Sequence, residues 1–139
     1  METLQERIER KIEKKRTLIR VARGLEKADL AIKNAKYLNV FSDSWETGDI
    51  AVSGGLIAGI GGEYHGKTEI DAGGRHVIPG LIDAHIHLES AIVEPCEFAR
   101  IALTHGTTTV VADPHEIANV MGTDGIRYMM QTTDDIGMD

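Results

Sequence analysis

A short apolar run that ends in two closely spaced histidines constrains the fold of this chain more than any other stretch. Residues 77–89 read Val-Ile-Pro-Gly-Leu-Ile-Asp-Ala-His-Ile-His-Leu-Glu. The Pro-Gly pair predicts a turn, and the apolar residues after it predict a buried β-strand. Successive side chains on a strand point to opposite faces, so His85 and His87 should project to the same side, together with Asp83 and Glu89.

Two imidazoles fixed on one strand face indicate a metal site. Neutral imidazole binds zinc, iron and manganese, and a rigid strand holds two such ligands at little cost in entropy. A His-x-His pair also arises by chance in chains that bind no metal. The acidic neighbours favour the metal interpretation, because Asp83 and Glu89 are candidates for orienting the imidazoles or supporting a cation. His65 and His76 lie outside this strand and are expected at the surface or in turns.

A second motif follows at residues 107–120, Thr-Thr-Thr-Val-Val-Ala-Asp-Pro-His-Glu-Ile-Ala-Asn-Val. The run Pro-Gly-Leu-Ile-Asp-Ala-His-Ile-His resembles the first barrel strand of the amidohydrolase superfamily. The second motif, together with Leu88-Glu89-Ser90, resembles the adenine deaminase branch of that superfamily. The likeness extends from about Leu18 to the last residue. It implies a (β/α)8 barrel that binds one or two metal ions at the C-terminal ends of its strands.

Length and composition limit the function classes. The chain has 139 residues, far below the roughly 250 of a complete (β/α)8 barrel, so we expect an N-terminal portion. A formal charge of -7 argues against nucleic acid as the main partner. No run has the apolar length of a membrane helix or the apolar centre of a signal peptide. Cys96 is the only cysteine, which suits a reducing, cytoplasmic location.

Changes in residue pattern divide the chain into three segments. Residues 1–27 are expected to form an N-terminal helical extension, because apolar residues recur there at helical spacing. Residues 28–78 alternate short strands with glycine turns and, by the resemblance, form part of a β-sandwich. Residues 79–139 correspond to the first two βα units of a TIM-like (β/α)8 metal-dependent hydrolase barrel. The expected fold class is therefore α/β, with the barrel incomplete in this chain.

Local signals predict the individual elements. Thr3 and Glu6 have the form of a capping box for the first helix, and Gly24 is expected to end it. Strands are predicted in the second segment at residues 29–33, 36–40, 49–53, 56–60 and 69–71, with Gly54-Gly55 as a hairpin turn. In the third segment, a crossover helix over 93–105 precedes a strand at 107–112 that runs parallel to the histidine strand. Another helix is predicted over 125–132.

The resemblance also implies roles for individual residues. His85 and His87 bind one metal of a binuclear divalent site, with manganese or iron favoured and zinc a further candidate. Glu116 is the candidate catalytic residue, as a substrate contact or proton-transfer group, or else a carboxylate that stabilises a helix N-terminus. His115 is a candidate for a further ligand or a supporting group, and Asp113 is equally a candidate helix cap. The remaining candidates for supporting the site or contacting substrate are Asp83, Glu89 and Ser90.

The implied reaction is the hydrolysis of adenine to hypoxanthine and ammonia, by a full-length homo-oligomer with adenine and water as substrates. The family draws its other ligands from later barrel strands, so we expect this chain alone to be inactive. Two alternatives stay open. One is another cyclic-amide hydrolase, such as a dihydroorotase-like enzyme, because the Pro-Gly to His-x-His run is shared among these enzymes. The other is a non-catalytic fragment that binds metal or a complementary chain through its strand edges.

Overall fold

The computed structural model describes residues 3–134 and 136–139. It shows a mixed α/β chain that divides into two compact units, Met1–Ile78 and Pro79–Asp139. Within the described residues, none of the helices combines the length and the apolar character that crossing a membrane requires.

The first unit begins with helix α1, Leu4–Ala22. The Thr3 hydroxyl accepts a hydrogen bond from the amide of Glu6 at 3.2 Å, and the Glu6 carboxylate accepts one from the amide of Thr3 at 2.8 Å. This reciprocal capping box satisfies two amides that would otherwise be unpaired at the helix start. Gly24 adopts a left-handed conformation, with a φ of 69°, just past the helix end. The predicted helix, its capping box and its stop are confirmed.

Within the described part of the first unit, β1 (Ala28–Asn39) is the central strand of a five-stranded sheet. The other strands are β2 (Ser44–Ser53), β3 (Leu56–Ile60), β4 (Gly66–Asp71) and β5 (His76–Val77). Strand β1 pairs antiparallel with β2 and parallel with β4 and β5. Strands β2 and β3 form the predicted hairpin, whose turn residues Gly54 and Gly55 have φ values of 58° and 77°. Residues with a Cβ rarely adopt such angles.

One expectation about this sheet is wrong. The strands predicted separately at residues 29–33 and 36–40 are a single strand, β1, with an irregularity between Ile32 and Ala35. Asn34 lies in this irregularity with a φ of 53°, a conformation that asparagine tolerates better than most residues. The polar break in the sequence therefore marks a bulge within one strand and not a turn between two. Strand β5 is a further short strand that the sequence patterns do not predict.

A buried ion pair joins the strands of the first unit. Asp49 on β2 is 6% exposed and accepts a hydrogen bond from Nζ of Lys33 on β1. It also accepts hydrogen bonds from the amides of Asn34, at 3.1 Å, and Tyr64, at 3.0 Å. Burial alone raises the pKa of Asp49, but these donors together hold its pKa below the usual 3.8. The ionised carboxylate therefore stabilises this sheet.

The second unit is built on two parallel strands, β6 (Leu81–Ile86) and β7 (Thr107–Ala112). Its helical elements are a 3-10 helix (Leu88–Ala91), α2 (Pro95–Thr104), α3 (His115–Met121) and α4 (Thr123–Thr132). Helix α2 connects the two strands, which confirms the predicted strand, helix, strand unit. Pro95 occupies the first turn of α2, and Gly106, with a φ of 91°, follows its end.

The last residue of the chain extends this parallel sheet by one backbone step. The amide of Val110 donates to the carbonyl of Asp139 at 2.7 Å, and the amide of Asp139 donates to the carbonyl of Thr108 at 3.0 Å. These two bonds come from the residues on either side of Thr109, which is the pattern of a parallel ladder. Asp139 therefore lies where a third parallel strand would pair with β7.

The expectation that the histidine strand is buried is wrong for this chain. Leu81 and Ile82 on β6 are 52% and 66% exposed. Among the described strands, β6 pairs with β7 alone, so one edge of β6 is open and its apolar side chains are not covered. The strand also ends at Ile86, and Glu89 lies in the 3-10 helix that follows. Glu89 is therefore not on the strand face that was predicted for it.

Candidate metal centre

Strand β6 brings two imidazoles together at its C-terminal end. The Nε2 atoms of His85 and His87 lie 3.0 Å apart, and the ring centroids are 4.8 Å apart with an interplanar angle of 75°. Two nitrogens that each lie about 2.1 Å from one metal ion are separated by about 3.0 to 3.4 Å in common coordination geometries. The separation of the two Nε2 atoms therefore fits ligands of a shared cation.

The other ring nitrogen of His87 determines which of its nitrogens is free to bind a metal. His87 Nδ1 lies 3.0 Å from the backbone carbonyl oxygen of Asp113. Because a carbonyl oxygen only accepts hydrogen bonds, Nδ1 carries the proton and Nε2 keeps its lone pair. Metal-binding histidines usually donate their second nitrogen in this way, which fixes both the tautomer and the ring orientation. The contact with Asp113, the residue after β7, thus leaves His87 Nε2 available for a cation.

Asp113 adds a carboxylate from the residue after β7. Its amide donates to the carbonyl of Ile86 at 3.0 Å, so the two parallel strands stay joined at their C-terminal ends. One ligand atom from each of His85, His87 and Asp113 lies within 4.8 Å of the other two. The interpretation of Asp113 as a helix cap is wrong. The N-cap residue of α3 is Pro114, and its side chain forms no capping hydrogen bond. Asp113 joins the candidate metal ligands instead.

His115 packs beside these residues. Its Nδ1 lies 3.1 Å from Oδ2 of Asp113. Its ring meets the ring of His87 edge-on, with centroids 4.7 Å apart and planes at 89°. Of the two roles that the sequence leaves open for His115, these contacts favour the supporting one, because the ring orients both a candidate carboxylate and a candidate imidazole ligand.

Glu116 lies in the first turn of α3 and is held by Ser90 from the 3-10 helix. The Ser90 hydroxyl lies 3.1 Å from Oε1 and 3.2 Å from Oε2 of Glu116. The neighbouring Glu89 accepts a hydrogen bond from the amide of Ile117 at 3.1 Å through Oε1. Its Oε2 is buried and has no hydrogen-bond partner among the described residues. Glu89 therefore contacts the start of α3, a role for which the sequence offers no signal.

The side chain of Asp83 contacts the backbone of its own strand, β6. Its Oδ1 accepts a hydrogen bond from the amide of His85 at 3.1 Å. The bond stabilises the strand at the point where the first histidine projects, whereas the sequence suggests contact with an imidazole ring. Two other histidines have different surroundings: His65 pairs with Glu69 at 3.5 Å, and the ring of His76 meets the ring of Trp45 at 4.7 Å.

Comparison with known proteins relates both histidine motifs to one family. Residues 76–139 match the amidohydrolase family. An adenine deaminase of Methanoregula boonei is 56% identical over 113 residues, which cover 81% of this chain and 20% of that protein. An adenine deaminase of Clostridium acetobutylicum is 51% identical, over 95% of this chain and 22% of that protein. An adenine deaminase of Kosmotoga olearia is 54% identical, over 86% of this chain and 21% of that protein.

The aligned residues cover most of this chain but only a small part of each relative. The chain spans about a fifth of the length of these curated relatives. The 132 residues aligned with the Clostridium acetobutylicum enzyme span the His-x-His and Asp-Pro-His-Glu motifs, which also lie within the family match. The resemblance noted from those motifs is confirmed. Residues 76–139 of this chain therefore match the amidohydrolase family, and the chain is similar to an N-terminal fragment of the adenine deaminases named above.

Proposed function

We propose that this chain carries the N-terminal part of the active site of an adenine deaminase, which hydrolyses adenine to hypoxanthine and ammonia. The observation that carries the proposal is the meeting of two parallel strand ends: His85 lies near the end of β6, His87 comes directly after β6, and Asp113 comes directly after β7. Enzymes built on (β/α)8 barrels place their active sites at the C-terminal ends of the strands. The relatives named adenine deaminase support the choice of substrate.

In this proposal His85 and His87 bind one ion of a binuclear divalent site, and Asp113 contributes the nearest carboxylate. A divalent metal held there, with manganese or iron preferred and zinc also suitable, would supply Lewis acidity and would favour ionisation of the water required for hydrolysis. The distance of 3.0 Å between the two Nε2 atoms supports the pairing of the histidines. The His87 bond to the carbonyl of Asp113 supports Nε2 as its ligand atom.

Glu116 is the proposed proton-transfer residue. A carboxylate at the mouth of β7 is well placed to accept a proton from water or to meet the exocyclic amine of the purine. The same position in the first turn of α3 also suits a carboxylate that only stabilises the helix dipole. Replacing Glu116 by glutamine separates the two roles, because glutamine keeps the shape but cannot take up a proton.

We further propose that residues 1–27 are an N-terminal extension, that residues 28–78 belong to a β-sandwich, and that residues 79–139 begin a (β/α)8 barrel. The β6, α2, β7 unit and the pairing of Asp139 with β7 support the barrel. Later barrel strands would supply the remaining ligands. The acidic net charge and the single cysteine fit a cytoplasmic enzyme, and we expect the full-length protein to form a homo-oligomer.

The test uses the full-length polypeptide, purified after growth with manganese, iron or zinc. Ammonia release from adenine is compared with hydrolysis of dihydroorotate, the substrate class of the competing interpretation. We expect adenine to be converted to hypoxanthine and dihydroorotate to remain unchanged. Hydrolysis of dihydroorotate without deamination of adenine would replace the proposed function by that of a cyclic-amide hydrolase.

A further inference from the structure

Two consecutive residues of the 3-10 helix after β6 hold two consecutive residues at the start of α3. Glu89 accepts from the amide of Ile117, and Ser90 donates to the carboxylate of Glu116. The first contact holds the backbone and the second holds the side chain. The segment that begins immediately after His87 therefore determines where the Glu116 carboxylate lies.

The backbone contact compensates for a missing cap. The first amides of a helix have no partner within the helix, and a side chain at the N-cap position usually satisfies one of them. Pro114 occupies that position in α3 and has no side-chain oxygen or nitrogen to offer. Glu89 supplies the acceptor from a segment that is remote in sequence. The 3-10 helix thereby connects helix α3 to strand β6.

The side-chain contact orients the carboxylate. A serine has a single hydroxyl proton, and the distances of 3.1 and 3.2 Å place that hydroxyl almost equally between Oε1 and Oε2 of Glu116. An ionised carboxylate has about four lone-pair positions, so one donor leaves most of them free for substrate or water. The contact limits rotation of the carboxylate without consuming its capacity to accept a proton.

We propose that Ser90 is a positioning residue that acts through Glu116, and that Glu89 holds the helix on which Glu116 is presented. The inference rests on the proposed function, in which Glu116 transfers protons. Ser90 is exposed, and its side chain donates to Glu116, whereas its contact with the candidate ligand His87 is a backbone hydrogen bond from the Ser90 amide to the His87 carbonyl. Replacing the side chain by that of alanine keeps this backbone bond and should leave metal binding intact.

The experiment is a double-mutant cycle in the full-length protein, with Ser90→Ala, Glu116→Ala and the double variant. Kinetic constants for adenine, bound metal and the midpoint temperature of unfolding are measured for each. We expect Ser90→Ala to lower kcat about 10-fold with unchanged metal content, because it removes a hydrogen bond to a charged group. In the Glu116→Ala background the same substitution should change kcat less than twofold, since the residue through which Ser90 acts is gone.

Three further variants distinguish positioning from a general structural role. Ser90→Thr keeps the hydroxyl and should recover most of the lost kcat. Ser42→Ala is the matched control, because Ser42 also donates to a glutamate, at 3.2 Å from Oε1 of Glu46, in the first unit. Hydrogen exchange of the Ile117 amide should be unchanged in Ser90→Ala and faster in Glu89→Leu, because Glu89 and not Ser90 protects that amide.

Failure of the proposed function and failure of the coupling between Ser90 and Glu116 give different results. If the wild-type protein fails to deaminate adenine, the proposed function is wrong. The coupling of residues 90 and 116 is then read from the unfolding temperature, where Ser90→Ala should have an effect only when Glu116 is present. Multiplicative effects on kcat, additive effects on the unfolding temperature, or loss of metal in Ser90→Ala would each overturn the inference.

Discussion

Nε2 of His85 and Nε2 of His87 face each other at 3.0 Å, although the second histidine lies just beyond the end of β6. The alternation of side chains along the strand thus persists through residue 87. The two nitrogens either share one proton or bind one cation. The second arrangement is the one that the proposed function uses.

The first prediction concerns these two histidines. In the full-length protein, His85→Ala or His87→Ala should remove bound metal and deamination together, because each variant deletes one of two adjacent ligands. The measurement is elemental analysis of the purified protein alongside ammonia release. His65→Ala is the control, since His65 is an exposed histidine of the first unit and pairs with Glu69. Full metal content and turnover in either strand variant would remove the basis of the metal assignment.

The second prediction separates chemistry from helix stabilisation at Glu116. Glu116→Gln should preserve metal content and lower kcat by about 10²- to 10⁴-fold, the usual contribution of general acid or base catalysis. Glu97→Gln on α2 is the matched control, because Glu97 forms an ion pair with Arg100 on the same helix. Unchanged turnover in Glu116→Gln would leave only the interaction with the helix dipole.

The third prediction concerns acid stability of the first unit. The pKa of Asp49 is lower in the folded chain than its usual 3.8, so its contribution is present above that value and is lost as the pH falls through the lower folded pKa. The free energy of unfolding should therefore decrease as the pH is lowered from about 5. Urea unfolding followed by the fluorescence of Trp45, the only tryptophan, reports on the neighbouring strand pair.

The same measurement tests the ion pair itself. Lys33→Met should lower the free energy of unfolding clearly, because it leaves a buried carboxylate without its charged partner. It should also raise the pKa of Asp49 and move the acid transition to higher pH. Lys67→Met is the control: it breaks an exposed ion pair with Asp29 and should lower the free energy of unfolding much less than Lys33→Met does. Equal losses in the two variants would contradict a special role for Asp49.

The fourth prediction concerns the 139-residue chain by itself. It should not deaminate adenine in the presence of manganese, iron or zinc, because one strand supplies two histidines and the binuclear site needs ligands from other strands. It should also self-associate through the open edge of β6 and exposed side chains such as Leu81 and Ile82. Chromatography for hypoxanthine and light scattering check both points. Robust turnover by a monomer would show that Asp113, His115 and Glu116 complete a smaller site.

Local sequence signals predicted the features that depend on neighbouring residues. The capping box at Thr3, the hairpin at Gly54-Gly55 and helix α2 after Pro95 were all predicted, since each depends on a few residues close in the chain. The juxtaposition of His85 and His87 followed from the two-residue period of a strand. These features need no knowledge of distant contacts.

The features that could not be predicted depend on residues far apart in the chain. Glu89 as the acceptor for Ile117, 28 residues away, has no local signature. The continuity of β1 through Asn34 depends on its pairing with β2, which overrides the break in the apolar pattern. The expectation that β6 is buried was wrong. An apolar strand is buried only where other elements pack against it, and the sequence of the strand does not show whether they do.

The backbone bonds between Asp139 and the residues flanking Thr109 bear on how such a protein is synthesised. Strand β6 pairs with β7, which follows it after helix α2, and β7 pairs with Asp139, which follows it after helices α3 and α4. Each of these two strands thus pairs with a segment that is synthesised later, after one or two intervening helices. A sheet assembled in this order grows during translation, and a pause between strands would expose its newest edge together with the open edge of β6.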